Sequence, residues 1–466
     1  MNFMDNLDNF KKYFNRDFWR GFQGKRVFTD IPNSGKDKDQ IVLKLYNDLV
    51  NKSYYPSKPI SYIHRNKGSG ITRVIPVFTI QDYCVYYYCV KKLESKIAYN
   101  RIDNTFGGWS MNGLLRKSEE DEMGKRVKDY AKLEDAMAEL YGNSISEYTF
   151  NPYAWVKAYG ELNSRLYATA KEDEYCYVAE FDIANYYDSI RLDKLEASVR
   201  EITTKEERDV VSLLFHFLNY WNRDINAYNR QTVGLPQDAL GDCSRILANF
   251  YLQPYDKYVF DVCERNKCRY LRYADDQFIF SAKREQLNYM LFKVSKHLNC
   301  LGLSINQKKV RVFTSAELIQ RRCYDIFDLL RSDGDKNNVG NVERFADCYL
   351  RIADEGRLNE VLNNGVSMLN RLLGADALKR IDSDKKKRLI KIYSSDEYLE
   401  NAKAYYLGKL YELLDKEEKQ IYLARLAALA GRFVHNAFHF EVVSFLEGID
   451  ADCGLVKRRL DELKSE

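Results

Sequence analysis

Between Cys268 and Ser281 the chain runs Cys-Arg-Tyr-Leu-Arg-Tyr-Ala-Asp-Asp-Gln-Phe-Ile-Phe-Ser. Two short runs rich in aromatic and β-branched residues flank the two acids, a composition typical of β-strands. The sequence therefore predicts a hairpin whose Ala-Asp-Asp turn projects Asp275 and Asp276 together. Adjacent carboxylates repel each other unless a cation joins them, so a hard divalent metal ion is their natural partner. The alternative is an ordinary polar turn, in which Asp is common.

A second acidic motif lies upstream, where residues 177–190 run Tyr-Val-Ala-Glu-Phe-Asp-Ile-Ala-Asn-Tyr-Tyr-Asp-Ser-Ile. An apolar strand leads into Asp182 and is followed by a turn and the start of a helix. Opposite the hairpin, Asp182 would supply a third carboxylate, and the backbone carbonyl of Ile183 would add another oxygen ligand. Three acids on neighbouring strands can hold two metal ions about 4 Å apart, as phosphoryl transfer requires. The alternative for Asp182 is a helix N-cap.

A third motif lies between these two. Residues 234–252 run Gly-Leu-Pro-Gln-Asp-Ala-Leu-Gly-Asp-Cys-Ser-Arg-Ile-Leu-Ala-Asn-Phe-Tyr-Leu, a turn that leads into a helix. Small residues in such a turn allow a base pair to approach the backbone closely. Taken alone, the segment also fits an ordinary turn before a helix.

Composition sets the limits of these predictions. The chain has 466 residues, of which 45% are hydrophobic, enough for a sizeable core in two to four domains. With 72 Lys and Arg against 68 Asp and Glu, the net charge of +4 does not by itself indicate nucleic-acid binding. Ten scattered cysteines form no Cys-x-x-Cys pair, which is typical of reduced thiols in a cytosolic protein. Without a secretory signal or a long apolar run, we expect a cytoplasmic protein that does not enter membranes.

The chain divides into three regions by composition. Residues 1–60 are predicted to be a mostly helical N-terminal extension. The middle region spans residues 61–315, and its part at 176–315 alternates strand-like and helix-like segments. Residues 331–341 are polar and turn-rich, and resemble a linker. Residues 316–466 are otherwise predicted to form amphipathic helices, for example at 397–414 and 418–433. The fold class is therefore α+β followed by an α-helical region.

The motifs in this order resemble those of reverse transcriptases, most closely the bacterial group II intron, retron and abortive-infection or defence-associated types. The resemblance covers residues 60–315. Two further segments fit the same family: Leu-Gly-Leu-Ser-Ile-Asn-Gln-Lys-Lys at 301–309 and Lys-Gly-Ser-Gly-Ile-Thr-Arg-Val-Ile-Pro at 67–76. Phe-Gly-Gly-Trp at 106–109 and Ser-Arg-Ile-Leu at 244–247 resemble patterns of the defence-associated subgroup.

The resemblance implies a right-hand polymerase fold. Residues 61–315 would form the fingers and a palm with an antiparallel sheet, and residues 316–466 a thumb-like helical domain. It implies an RNA-directed DNA polymerase that uses two Mg²⁺ ions, with Mn²⁺ as an alternative. Asp182 and Asp275 would bind both ions, with Asp276 as a weaker or outer ligand.

The same resemblance assigns residues to the substrates. Tyr187 would close off the sugar 2′-hydroxyl and so favour dNTPs, although a simply packed aromatic is the alternative. Lys67 and Arg73 would hold the triphosphate, unless they belong to a solvated basic turn. Gln237 would contact the nucleotide sugar or the template base. Lys309 would protonate the leaving pyrophosphate, with the adjacent Lys308 leaving the register open.

Two departures from the family pattern stand out. Asp238 replaces the glycine that usually follows the glutamine, and residues 238–243 lengthen the gap to Ser244. The path of the template-side loop is therefore in doubt, whereas the acids are unaffected. Tyr187 stands where bacterial members often have phenylalanine.

The primary functional hypothesis is a bacterial antiphage reverse transcriptase that works with a dedicated non-coding RNA as template or scaffold. No ribonuclease H, integrase or zinc domain of a mobile element is apparent. Template-independent or protein-primed DNA synthesis is a second hypothesis. A homo-oligomer formed through the helical region is also left open.

A third hypothesis concerns the helical region. Arg432 is followed after six residues by His439, which resembles the spacing of HEPN ribonucleases, and the palm would then mainly bind RNA. An amphipathic helix that carries Arg and His is the alternative. The basic run at 385–388 would contact phosphates or form a solvated helix face.

Overall fold

The computed structural model describes residues 5–25, 35–66, 72–111, 148, 150, 154–222, 234–237, 242–361, 365–399, 402–432, 441–442, 445–446 and 448–449. The chain forms two compact units. The first contains Met1–Ile63 and Ile71–Ser315, and the second contains His64–Gly70 and Ala316–Glu466. Each unit has a hydrophobic core of its own.

Three helices begin the first unit: α1 (Leu7–Tyr13), α2 (Arg16–Lys25) and α3 (Gly35–Val50). The Asn6 side chain caps α1 by accepting a hydrogen bond from the Asn9 amide at 2.9 Å. Two short strands follow, β1 (Ser61–Asn66) and β2 (Thr72–Val77), which pair with each other.

Helix α4 (Ile80–Tyr99) is the centre of this core. Every residue of its run 83–90 is buried, as expected for a helix that is apolar on all sides. The ring of Phe10 lies 4.9 Å from that of Tyr88, and the ring of Phe18 lies 4.5 Å from that of Tyr87. Much of the tyrosine content of the chain therefore belongs to the core.

A five-stranded sheet follows, in the order β3-β5-β6-β4-β7. Its strands are β3 (Thr105–Phe106), β4 (Tyr177–Phe181), β5 (Arg269–Tyr273), β6 (Asp276–Ser281) and β7 (Arg311–Thr314). Only the β3–β5 pair is parallel, and the three other pairs are antiparallel. The predicted hairpin and the predicted antiparallel sheet are confirmed.

Helices of the same unit surround this sheet: α5 (Ala154–Ala170), α6 (Tyr186–Ser189), α7 (Leu192–Ile202), α8 (Arg208–Leu218), α9 (Asp242–Tyr251), α10 (Gln253–Arg265) and α11 (Arg284–Leu301). Helices α8 and α9 pack against α4, whereas α10 and α11 pack against the hairpin strands. A 3₁₀ turn, Gln307–Lys309, precedes β7.

From residue 315 onward the described chain is helical, and its helices are α12 (Ser315–Arg322), α13 (Tyr324–Phe327), α14 (Asp333–Asn337), α15 (Val339–Asp354), α16 (Val366–Leu373), α17 (Ser383–Tyr393), α18 (Asp396–Leu399), α19 (Ala404–Leu413) and α20 (Lys416–Arg432), with α12 beginning at the unit boundary. Short 3₁₀ turns lie at Asp328–Leu330, Leu358–Glu360 and Asp376–Arg380. The predicted helical C-terminal region is confirmed.

Two details of that prediction are wrong. The segment 331–341 is not a linker, because α14 and the start of α15 occupy it. Ser332 and Asp335 form a capping box at the start of α14, so the polar residues there begin a helix. The predicted helix at 397–414 is interrupted, since α18 ends at Leu399 and α19 begins at Ala404.

Among the helices that the structure describes, none is long and apolar enough to cross a bilayer. The nine described cysteines are free thiols, of which Cys176 and Cys300 are exposed and the others buried.

Candidate active site

The β5–β6 hairpin presents two carboxylates at one end of the sheet. Tyr273 pairs with Asp276, so Ala274 and Asp275 are the two residues of the turn. Ala274 has a φ of +52°, and a positive φ at the first central position is a feature of tight two-residue hairpin turns. Asp275 is half-buried and Asp276 is exposed.

Asp182 lies at the same end of the sheet. It directly follows β4, in which Phe181 is opposite Gln277 of β6, so Asp182 is level with Asp276. Its side chain is buried, whereas the N-cap of α6 is Asn185. The three acids that the sequence singled out therefore lie at one end of the sheet, and Asp182 does not cap the helix that follows it.

Lys309 joins these acids. Its Nζ donates to Asp182 Oδ2 at 2.5 Å, although 64% of the lysine side chain is exposed. The hydrogen bond to Asp182, together with the negative charges of Asp182, Asp275 and Asp276, raises the pKa of Lys309 despite partial desolvation. One ammonium group thus interacts with all three carboxylates. Lys309, at the end of the 3₁₀ turn, makes this contact with Asp182.

The second oxygen of Asp182 indicates a cation site. Asp182 Oδ1 is buried and has no hydrogen-bond partner among the described residues. A buried polar oxygen of this kind is costly unless it has a partner, and Lys309 contacts only Oδ2 of this carboxylate. In the described part of the chain no three His, Cys, Asp or Glu side chains lie close enough to form a ready metal cluster. The hard oxygen donors nevertheless suit Mg²⁺ or Mn²⁺.

The backbone after β4 supports the predicted role of the Ile183 carbonyl. The Ala184 amide donates to the Ser304 carbonyl, and the Asn306 amide donates to the Asp182 carbonyl, both at 2.9 Å. These bonds flank an antiparallel bridge between Ile183 and Ile305. In such a pair the central carbonyls point away from each other. The carbonyl of Ile183 is therefore directed away from Ile305, toward the side of β4 on which β6 lies.

Tyr187 is held beside the turn that contains Gln237. The Leu235 amide donates to the Tyr187 carbonyl at 2.9 Å, and the Gly234 amide donates to the Ile190 carbonyl at 2.8 Å. The φ of Gly234 is +96°, a conformation that favours glycine. The structure thus brings Tyr187 and Gln237 together.

The same turn is fixed from its other side. Ser244 donates to the Pro236 carbonyl, and the Ser244 and Tyr86 hydroxyls lie 2.8 Å apart.

The Tyr187 ring is half-buried and lies 5.3 Å from that of Tyr186. Gln237 Oε1 is buried without a hydrogen-bond partner in the part of the chain that the structure describes. An amide in this state is available for a ligand.

Several predicted residues lie outside the described part. Lys67 is one of them, and of Arg73 only the backbone in β2 is described. Arg432 ends α20, but His439 is outside the described residues, and so is Asp238.

The basic run at 385–388 has local partners in the second unit. Lys385 lies 2.8 Å from Asp347, and Arg388 lies 2.7 Å from Asp354, both acids being on α15. These pairs support the alternative of a solvated helix face for those two residues.

Sequence reasoning missed a buried network behind the hairpin. Arg272 of β5 forms an ion pair with Asp256 of α10 and also contacts Asn249 of α9. Burial alone would lower the pKa of Arg272, but Asp256 raises it above the ordinary value. The available signal was a second arginine inside β5, among the aromatic and apolar residues Tyr270, Leu271 and Tyr273.

Comparisons with known proteins agree with this geometry. Residues 125–341 match the family model described as reverse transcriptase (RNA-dependent DNA polymerase), and that range contains the three acids and Lys309. No curated protein matches the sequence of the chain.

Solved structures also resemble the chain. Telomerase from Candida albicans in complex with a TWJ fragment of telomeric RNA is 12% identical, over 92% of this chain and 71% of that one, with a TM-score of 0.33. Telomerase from Candida tropicalis with such a fragment is 12% identical, over 91% and 68%, with a TM-score of 0.34. The assignment here rests on the family match together with the sheet and its acids. The chain contains a reverse transcriptase domain with a right-hand polymerase fold.

Proposed function

We propose that this chain, an RNA-directed DNA polymerase by its family match, joins deoxynucleotides to a primer at the site of Asp182, Asp275 and Asp276. One observation carries the location of the site. A single ammonium group, that of Lys309, hydrogen-bonds Asp182 and interacts with the two acids of the hairpin. Carboxylates from two neighbouring strands therefore face one cationic position.

In this proposal Asp182 and Asp275 hold the catalytic cations, and Asp276 and the Ile183 carbonyl complete the oxygen ligands. Bound Mg²⁺ ions would supply Lewis acidity for the primer 3′-hydroxyl and charge neutralisation for the triphosphate. The primer 3′-oxygen forms a bond to the α-phosphorus of the dNTP, and the bond to pyrophosphate breaks. The hydroxyl proton leaves to solvent.

Lys309 supplies a proton to the leaving pyrophosphate. Lysine is protonated at neutral pH, and departure from Asp182, whose hydrogen bond raises the pKa of Lys309, would make it a stronger proton donor. To do so its ammonium must move from Asp182 Oδ2 to the departing phosphate oxygen. Exposure of the lysine side chain gives it the freedom for that movement.

Tyr187 selects the sugar. Its backbone is fixed by the Leu235 amide, and its half-buried ring would fill the space that a ribose 2′-hydroxyl needs. Gln237, with a buried amide oxygen lacking a described partner, would contact the sugar or template base. Lys67 and Arg73 would hold the triphosphate, a role taken from the resemblance of residues 67–76.

For the whole chain, we propose fingers and palm in residues 61–315 and a thumb-like helical domain in residues 316–466. We further propose that the enzyme copies a dedicated non-coding RNA in a bacterial antiphage system. The support is the defence-type Phe-Gly-Gly-Trp motif at 106–109 and the Ser-Arg-Ile-Leu motif at 244–247.

Sequencing of the nucleic acid that copurifies with the chain tests this biological role. We expect one abundant RNA species and DNA complementary to it. The DNA, but not the RNA, should disappear when Asp275 and Asp276 are both changed to alanine. Homopolymeric DNA without an RNA complement would instead indicate untemplated synthesis. Phage protection that survives the double substitution would exclude a polymerase-based defence.

A further inference from the structure

Arg272 is a charged side chain that is completely buried in β5. Its Nε and Nη2 donate to the two carboxylate oxygens of Asp256, at 2.7 and 2.5 Å. Its Nη1 donates to Asn249 Oδ1 and to the backbone carbonyl of Ala274, both at 2.7 Å. Asp256 thus neutralises the guanidinium charge along one edge, while Nη1 holds the backbone of the hairpin turn.

Asn249 extends this network to the Phe-Gly-Gly-Trp motif. Its Nδ2 donates to the carbonyls of Gly107 and Gly108, at 2.5 and 3.1 Å. Both glycines have positive φ, +76° and +67°, a backbone conformation that other residues rarely adopt. This conformation sets the direction of their carbonyl groups. The side-chain amide of Asn249 therefore connects this loop to Arg272, since its Nδ2 contacts the loop and its Oδ1 contacts Arg272.

The loop also contacts the turn directly. A Cβ atom on Gly107 would overlap the ring of Tyr273, and that ring lies 5.2 Å from the ring of Tyr159 on α5. Strand β3 pairs Phe106 with Tyr273. The hairpin is therefore held at Tyr273, the residue before the turn, through its ring, and at Ala274, the first residue of the turn, through its carbonyl.

Burying these charged groups costs more desolvation free energy than burying an apolar core would. A buried ion pair is often no more stabilising than well-packed hydrophobic residues, so stability alone is a weak reason for it. A planar guanidinium can hold several acceptors in fixed directions, which a lysine cannot. Here the extra acceptor is the carbonyl directly before Asp275, in a residue with a φ of +52°.

We propose that Arg272 and Asn249 are positioning residues that fix the Ala274 turn and thereby place the Asp275 carboxylate for metal binding. The proposal rests on the proposed function, because it assigns Asp275 to the metal site. Neither residue is assigned a contact with substrate. They act through the backbone of the turn and through the glycine loop beside it.

The primary test is Arg272→Lys in the full chain. Lysine keeps the charge opposite Asp256 but has one ammonium group, which cannot also reach the Ala274 carbonyl and Asn249. Binding of Mn²⁺ is measured by electron paramagnetic resonance without nucleotide or nucleic acid. We expect affinity to fall about tenfold, as is usual for supporting residues around metal ligands. In primer extension, kcat should fall while the KM for dNTP stays within about twofold.

Asn249→Asp is the second variant, in case Arg272→Lys does not fold. It retains an acceptor for Arg272 and leaves the pair with Asp256, but it removes the donor to Gly107 and Gly108. We expect weaker Mn²⁺ binding here as well. Tyr255→Phe is the matched control, since it deletes a buried hydrogen bond to Gln277 of β6 without touching the turn. It should leave Mn²⁺ affinity unchanged.

Two outcomes would overturn the proposal. One is loss of thermal stability in Arg272→Lys and Asn249→Asp with unchanged Mn²⁺ affinity and unchanged kcat. The other is an equal loss of Mn²⁺ affinity in Tyr255→Phe, which would make the effect general. If the proposed function itself fails, the result is different. The wild type then makes no DNA, although Arg272→Lys still binds Mn²⁺ more weakly than the wild type does.

Discussion

The ammonium of Lys309 lies 2.5 Å from Asp182 Oδ2, and this contact joins the end of β4 to the 3₁₀ turn before β7. The lysine offsets the repulsion between carboxylates that the sheet brings to one end. It also has to leave Asp182 for catalysis if it donates a proton to pyrophosphate. In the proposed mechanism Lys309 therefore has two partners in succession, and substitutions of Lys309 separate the effect of its charge from that of proton donation.

Lys309→Met is expected to lower the rate of a single nucleotide addition about a hundredfold, because general acid catalysis is lost. Lys309→Arg restores the positive charge beside Asp182, but a guanidinium is a poor proton donor. We expect it to remain nearly as slow as Lys309→Met in rapid-quench measurements. Lys308→Met is the matched control and should be close to wild type. Full activity of Lys309→Arg would show that charge alone matters.

Tyr187→Ala is expected to admit ribonucleotides. The backbone of Tyr187 is fixed next to the Gly234–Gln237 turn, and in the proposed function removal of its ring opens space beside the sugar. The ratio of kcat/KM for dNTP to that for rNTP should fall about tenfold or more, which corresponds to about 1.4 kcal/mol. The neighbouring Tyr186, whose hydroxyl donates to the Ala248 carbonyl, provides the control variant Tyr186→Phe. An unchanged ratio in Tyr187→Ala would mean that the ring only packs.

Gly107→Ala is expected to destabilise the protein by more than about 1 kcal/mol, because the residue has positive φ and the added methyl overlaps Tyr273. Gly160→Ala is a matched control. Gly160 lies in α5 with nothing within 4 Å of an added Cβ, so alanine should stabilise that helix by about 0.5–1 kcal/mol. Urea unfolding measures both. Equal effects at the two positions would contradict the close fit of the loop to Tyr273.

The elements with strong local signals could be predicted from the sequence. The hairpin has aromatic and β-branched runs around a polar turn, and helix α20 (Lys416–Arg432) contains residues 418–432 of the helix predicted at 418–433. The segment 331–341 was misjudged because its capping residues are the same polar types that form linkers.

Other features could not be predicted from the sequence because they depend on contacts between residues that are far apart along the chain. Arg272 finds Asp256 and Asn249 only after α9, α10 and the sheet have packed, so no local pattern marks that network. Similarly, the choice between Lys308 and Lys309 depends on the 3₁₀ turn that carries both. Spacing along the chain could not decide it.

The most direct test of the central claim is extension of a DNA primer on an RNA template, with dNTPs and Mg²⁺, by the wild type, Asp182→Asn and Asp275→Asn. These substitutions keep the size of each side chain and remove the charge. We expect template-dependent DNA synthesis by the wild type and a loss of at least about a hundredfold in each variant, because each carboxylate holds catalytic cations. Synthesis that continues at the wild-type rate in either variant would contradict the assignment of the site.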